Sequence, residues 1–89
     1  MAERRRDWSV ITQAALAPGD RWLCADSVAV LLGMFTPDGE PNRRAFLEGP
    51  ARARSFPVPL TIGAQGRKWR KSEVERWAED EHRIQSRAA

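Results

Sequence analysis

Cysteine, histidine and tyrosine are scarce in this chain of 89 residues, which has one cysteine, one histidine and no tyrosine. Cys24 alone cannot form an internal disulfide, so a disulfide-stabilised fold is excluded and a reducing, cytoplasmic compartment is expected. No group of cysteines and histidines has the spacing of a metal site, and no nucleophile stands in an arrangement with a base. The sequence therefore predicts no metal, no cofactor, no catalytic residue and no enzymatic activity.

Long apolar runs are also missing. No run approaches the roughly 18 residues of a membrane span, and the N-terminus lacks the apolar core of a signal peptide. We therefore expect no membrane partner. The length suits one small domain and is too short for two. Four tryptophans and three phenylalanines are expected to supply much of its buried area.

Positive charge is abundant but confined to one segment. Residues 1–40 have four arginines and six carboxylates, a net charge of −2. Residues 41–70 have six arginines and one lysine against one glutamate, a net charge of +6. Residues 71–89 have four cations and five carboxylates, a net charge of −1. A block of one sign favours a polyanionic partner such as nucleic acid, although a charged solvated surface is the simpler alternative.

The stretch 56–77 contains the clearest structural signals. Val58, Leu60 and Ile62 alternate with other residues in the period of a strand with one buried face. Gly63 and Gly66 then tolerate the positive φ angles of a turn, and a second strand begins in the basic run that follows. The pattern predicts a β-hairpin with a basic tip.

A helix is predicted directly after this hairpin. Ser72 and Glu75 have the spacing of a capping box, in which each side chain bonds to a free N–H group of the first turn. Trp69 and Trp77 are expected to pack together under the hairpin. The helix should end near Ile84, leaving 85–89 as a disordered tail. Its inward face is predicted to consist of Val74, Trp77, Ala78 and Glu81.

The first twenty residues are predicted to form a basic arm and an accessory helix. Residues 1–6 include three consecutive arginines, which suit either phosphate contact or a flexible terminus. A short helix over 7–16 would be capped by Asp7 and would dock Trp8 on the domain that follows.

The next part of the chain predicts two helices joined by a loop. After an extended lead-in at 21–24, a helix should end at Gly33, whose freedom at positive φ suits a helix C-terminus. Residues 35–41 are rich in turn formers. A second helix over 42–49 should face Phe46 inward. Two arginines in its first turn oppose the helix dipole, which suggests a role other than helix stability.

These elements resemble a known family. The stretches RWLCADSVAVLLGM, SFP and PLTIGAQGRKWRKSEVERW are similar, in this order, to the small winged helix-turn-helix proteins of the AlpA and excisionase type, related to the DNA-binding domain of MerR regulators. The resemblance covers residues 21–83. It implies a mainly α fold with a small β-hairpin, and a DNA-binding domain over 21–84. The gap between Gly33 and the Phe-Pro pair is longer here than in the family, and the family's acidic residue is replaced by Ser27.

The resemblance also implies roles for particular residues. The second helix would lie in the major groove, with base-reading side chains in its first turn at Asn42, Arg43 and Arg44. The wing and the basic connector would contact the DNA backbone through Arg52, Arg54, Arg67, Lys68 and Arg70. If Trp69 faces the core, alternation along the strand turns Lys68 and Arg70 outward, which makes them the preferred phosphate contacts.

Double-stranded DNA is therefore the predicted partner, bound without catalysis. The implied protein is an excisionase working beside an integrase, or a small transcriptional regulator, of a phage or integrated element. Self-association or cooperative binding on repeats is expected to supply affinity. Two alternatives remain open, namely the DNA-recognition part of a phage terminase small subunit and a protein-interaction module or antirepressor. A base-stacking surface formed by Trp22, Trp69 and Trp77 is a further alternative to their packing in the core.

Overall fold

The computed structural model describes residues 7–61 and 63–88, which form a mainly helical fold with a small antiparallel sheet. The predictions made for the N-terminal arm and for Ile62 lie outside these residues. The helices are α1 Ser9–Leu16, α2 Ala25–Leu31, α3 Arg43–Glu48 and α4 Lys71–Ala88. The strands are β1 Trp22–Leu23, β2 Leu60–Thr61 and β3 Arg67–Arg70. Short 3-10 turns occur at Pro50–Arg52 and Gly63–Gln65. No helix among the described residues is long and apolar enough to cross a membrane.

The sheet has three strands in the order β1-β3-β2. The predicted hairpin is present as β2 and β3, and the glycines on either side of its turn, Gly63 and Gly66, have φ values of 46° and 79°. The extended lead-in predicted from the sequence is β1, which pairs with the other edge of β3 so that Trp22 lies opposite Arg70. Local patterns do not indicate a pairing between segments so distant in sequence, and the third strand was therefore not predicted.

Two of three helix ends follow local signals in the sequence. The Asp7 carboxylate accepts a hydrogen bond from the Ser9 N–H at 2.9 Å, but Asp7 lies one residue before the cap of α1, which is Trp8 and has no side-chain capping bond. The Asn42 side chain accepts one from the Ala45 N–H at 3.1 Å and caps α3. Gly33 follows α2 with a φ of 73°, the left-handed conformation that closes a helix. The predictions for Asn42 and Gly33 are confirmed, and the one for Asp7 is wrong by one residue.

The start of α4 differs from the prediction. The helix begins at Lys71, so Ser72 already lies inside its first turn. The Ser72 N–H and hydroxyl both donate to the Asp20 carboxylate, at 2.9 and 2.8 Å. Glu75 lies 4.0 Å from the Lys71 ammonium. The predicted capping box is therefore wrong, because a carboxylate from the loop before β1 takes the position of the cap.

The C-terminal end of α4 also differs from the prediction. The helix continues through Ala88, past the end predicted at Ile84. An Arg83–Asp80 ion pair of 3.4 Å lies on this part, and Arg87 in the last turn has the charge that a helix C-terminus favours. The segment has no apolar period, but these local interactions suit a helix.

The core lies where α2, α3, β3 and α4 meet. Four aromatic rings form a continuous edge-to-face series through it, with centroid distances of 5.0 Å for Trp69–Phe46, 5.4 Å for Phe46–Phe56 and 4.9 Å for Phe56–Trp77. Trp69 and Trp77 were predicted to pack on each other, but each contacts a phenylalanine instead. The buried residues of this core are Leu23, Val28, Ala29, Phe46, Phe56, Trp69 and Val74.

Several residues predicted to be buried are exposed. Val58 is 83% exposed and Leu60 is 41% exposed, so the predicted alternation along the first strand of the hairpin does not correspond to a buried face. In the described part of that strand, Leu60 and Thr61 pair with β3, and Val58 lies outside the pairing. Trp22 is 43% exposed, because it lies on an edge strand of the sheet.

The accessory helix α1 is packed into the domain. Ala15 is fully buried, and the buried hydroxyl of Ser27 on α2 donates to the Ile11 carbonyl at 3.0 Å. The Trp8 indole N–H donates to Glu40 at 3.4 Å, which confirms that Trp8 contacts the part that follows. The Lys71 ammonium donates to the carbonyl of Ala17 just after α1. Ser27 therefore joins α1 to α2.

Candidate nucleic-acid interface

A groove of about 220 Å³ separates α3 from the loop that joins β2 to β3. Arg43 and Leu47 line it from α3, and Gln65, Gly66 and Arg67 line it from the hairpin. The N-terminal turn of α2 closes one end. We refer to it as the recognition groove. It brings together two arginines that are distant in the sequence.

The core determines where these two arginines point. Phe46 is fully buried and turns one side of α3 inward, and Arg43, one turn earlier on nearly the same side, is exposed at the edge of that packing. On β3, Trp69 is buried against Phe46, and the guanidinium of Arg67 lies 5.5 Å from the centroid of the Trp69 ring. Residues two apart on a strand share a face. Arg67 and Trp69 therefore lie on the face of the sheet against which α3 packs. Arg67 lines the groove from that face.

Lys68 and Arg70 lie on the opposite face of β3. The sequence predicted these two as the best outward contacts, but Lys68 is half-buried. The Arg70 guanidinium lies 3.4 Å from Asp20 and 5.2 Å from the centroid of the Trp22 ring. Arg70 thus has a carboxylate and an aromatic partner within the chain. The structure therefore favours Arg67 over both as the cation beside α3.

Two neighbours of Arg43 are already engaged. The Asn42 oxygen caps α3, so the amide cannot also present that oxygen to the N6 amino group of an adenine while the cap is intact. Arg44 forms an ion pair with Glu48 at 3.0 Å, although its side chain remains 87% exposed. Exposed pairs of this kind contribute only about 0.2–1 kcal/mol, so a phosphate could replace Glu48 as the partner of Arg44. We place Asn42 in helix capping and keep Arg43 and Arg44 as candidate DNA contacts.

The two arginines of the connector are exposed but do not line the groove. Arg52 ends the 3-10 turn after α3, and Arg54 follows it. Both extend the positively charged surface that begins on α3. Their position suits contact with phosphates outside the groove more than contact with bases.

Two groove residues were not anticipated from the sequence. Gln65 lies at the tip of the hairpin between two glycines, and a polar residue there is the sequence signal that could have indicated it. Asp26 lies in the first turn of α2 and also lines the groove. A carboxylate repels phosphate but accepts a hydrogen bond from the N4 amino group of cytosine, which is a base contact and not a backbone contact.

The described residues contain no group of three or more His, Cys, Asp and Glu side chains that could hold a metal ion. No protein-family model, curated protein or solved structure matches this chain.

Proposed function

We propose that this chain is a sequence-specific double-stranded DNA-binding protein, in which α2 and α3 form a helix-turn-helix and the β2–β3 hairpin is its wing. One observation carries the proposal. Arg43 and Arg67 line the same groove from two different elements, within a segment that has a net charge of +6. α3 and the hairpin each have a cation beside the groove between them. This arrangement suits a DNA duplex, because a phosphate backbone borders each side of the major groove that α3 would enter.

The two arginines then have different roles. Arg43 lies in the first turn of α3, the part of a recognition helix that reaches base edges, and its guanidinium can bond to O6 and N7 of guanine. Arg67 lies at the start of β3 and contacts phosphate, which orients the protein without reading the sequence. Arg44 joins the phosphate contacts once it leaves Glu48. DNA binding requires no catalytic group.

The biological role that best suits such a domain is that of an excisionase beside an integrase, or of a small transcriptional regulator, in a phage or integrated element. Its support is the resemblance of residues 21–83 to such proteins together with the recognition groove. A protein-interaction module is the alternative that one observation favours, since Val58 before β2 and Ile84 on α4 are both exposed and line one groove. Binding to DNA that weakens with salt would separate the two roles.

The proposal is tested by titrating fluorescent duplexes tiled from the region flanking the gene, with a random duplex for comparison, at several salt concentrations. We expect one tile to bind more tightly than the random duplex. Arg43→Ala should weaken binding to that tile by about 1–3 kcal/mol and reduce the preference for it. Arg67→Ala should weaken all duplexes alike and lower the slope of log K against log salt by about 1.

Arg21→Ala is the matched control, since it removes the same charge from a side chain that bonds to the Pro18 carbonyl outside the groove. Arg21→Ala should change neither the preference for that tile over the random duplex nor the order in which the duplexes rank by affinity. Circular dichroism of each variant verifies the fold. The proposal fails if no duplex binds at low salt, or if Arg21→Ala has the same effect as Arg43→Ala.

A further inference from the structure

A second groove, of about 590 Å³, runs between α4 and the segment that precedes β2. We refer to it as the α4 groove. Pro57 and Val58 line one wall, and Trp77, Asp80 and Ile84 line the other. Val58 is 83% exposed and Ile84 is 60% exposed. Two large aliphatic side chains on one groove form an apolar surface that the described part of the chain leaves uncovered.

Charge along α4 is strongly polarised. From Lys71 to Glu81 the helix has two cations and five carboxylates, a net charge of −3. From His82 to Ala88 it has two arginines and no carboxylate, a net charge of +2 with the histidine neutral. Three carboxylates, Glu73, Asp80 and Glu81, and one cation, Arg76, line the α4 groove itself, a net charge of −2. An occupant that is apolar and positively charged therefore suits this groove.

We propose that the α4 groove is covered by the C-terminal half of α4 from a second copy of this chain, in an antiparallel and two-fold symmetric dimer. That half of the helix has both properties, because Ile84 is an exposed apolar residue and Arg83 and Arg87 flank it. Ile84 of each copy packs against Val58 and Trp77 of the other. The same patch serves on both copies, as a two-fold interface requires.

The direction of pairing follows from the charges. Antiparallel helices place the basic end of each copy beside the acidic part of the other, whereas parallel helices place like charges together. The 18 residues of α4 span about 27 Å, so two such helices can overlap along most of their exposed halves. The dimer does not depend on DNA binding, and either proposal can fail without the other.

The experiment is sedimentation equilibrium of the full chain from about 1 μM to 1 mM, a range in which a dimer of moderate affinity dissociates. We expect a monomer–dimer equilibrium. Val58→Gln and Ile84→Gln should each raise the dimer dissociation constant by at least about tenfold, or 1.4 kcal/mol. Val10→Gln is the control, because Val10 is an aliphatic residue 74% exposed on α1, outside the groove. A monomer at every concentration, or an equal effect of Val10→Gln, would overturn the proposal.

A charge exchange tests the orientation. Glu73 and Arg87 lie near opposite ends of α4, so the antiparallel dimer places Glu73 of one copy beside Arg87 of the other. Glu73→Arg and Arg87→Glu should each weaken the dimer, and the double variant should restore it. In a parallel dimer the double variant would restore nothing. Failure of the double variant to recover the affinity of the original chain would therefore exclude the antiparallel arrangement.

Discussion

Asp20 connects the loop before β1 to both β3 and α4. Its carboxylate accepts hydrogen bonds from the Ser72 N–H, the Ser72 hydroxyl and the Arg21 N–H, and it also forms an ion pair with Arg70. These interactions favour the ionised form and lower the pKa of Asp20, with the Ser72 backbone bond as the largest cause. Asp20 therefore supports the start of α4 and pairs with Arg70 at the same time.

This pKa shift predicts an acid-dependent loss of stability. Because the pKa of Asp20 is lower in the folded than in the unfolded chain, its contribution is complete above the ordinary value of 3.8 and is lost as pH falls through the folded value. Asp20→Asn should lower Tm at pH 7 and flatten the fall in Tm below about pH 4. The measurement is thermal unfolding by circular dichroism between pH 7 and acidic pH.

Asp38→Asn is the control for Asp20, since Asp38 is an exposed carboxylate in the loop after α2. It should leave the pH profile of Tm unchanged. Asp7 also has a lowered pKa, because Ser9 donates hydrogen bonds to it. Asp7 is present in the original chain and in Asp20→Asn, so it contributes equally to the two pH profiles. Identical profiles for Asp20→Asn and the original chain would show that the cap at α4 contributes nothing.

Among the elements, α3 is the one whose position depends most on a single side chain. It has six residues, which is too short for a helix to be stable by itself, so its stability comes from packing. Phe46 is its buried residue and contacts both Phe56 and Trp69. The same contacts hold Arg43 opposite Arg67. Stability and the shape of the recognition groove are therefore linked through this one ring.

Truncation of that ring should be severe. Phe46→Ala removes a fully buried aromatic side chain and is expected to lower the free energy of unfolding by about 3–5 kcal/mol. Phe35→Ala should change it by much less, because Phe35 is 48% exposed in the loop between α2 and α3. Urea unfolding at one temperature measures both. If Phe46→Ala does not fold, Phe46→Leu provides a smaller change with the same sign. Equal losses for Phe35→Ala and Phe46→Ala would contradict the central position of Phe46.

For the whole molecule, the two proposed surfaces carry opposite charge. The two arginines of the recognition groove lie in the segment of net charge +6, and α4 up to Glu81 has a net charge of −3. This separation allows DNA to approach one surface without attraction to the other. A two-fold dimer through α4 would also relate the two α3 helices by the same symmetry, so its two DNA half-sites would run in opposite directions.

The arrangement of half-sites is thus a prediction at the scale of the assembly. Duplexes with two copies of the preferred site as an inverted repeat should bind cooperatively when the spacing follows the helical repeat of about 10–10.5 base pairs. The same sites as a direct repeat should bind as independent sites. Gel-shift titration compares the two, with Ile84→Gln as the variant that loses cooperativity but keeps the affinity for one site. Cooperative binding to direct repeats alone would contradict the two-fold arrangement.

The sequence by itself determined the features that depend on neighbouring residues. Gly33, Asn42 and the two glycines of the hairpin occupy the helix ends and turn that they predicted, because capping and positive φ are properties of a few adjacent residues. The charge block over 41–70 and the inward position of Phe46 could also be predicted, because each depends on a short stretch of sequence. These signals gave the order of the elements and the candidate residue Arg43.

Tertiary structure decided everything that depends on residues far apart in sequence. Asp20 caps a helix 52 residues away, and β1 pairs with β3, so neither interaction has a local pattern. The hairpin shows the same point for the proposed interface. The alternation of Arg67, Lys68 and Trp69 was evident in the sequence, but which face of the strand α3 would pack against was not. That choice placed Arg67 in the recognition groove and left Arg70 paired with Asp20.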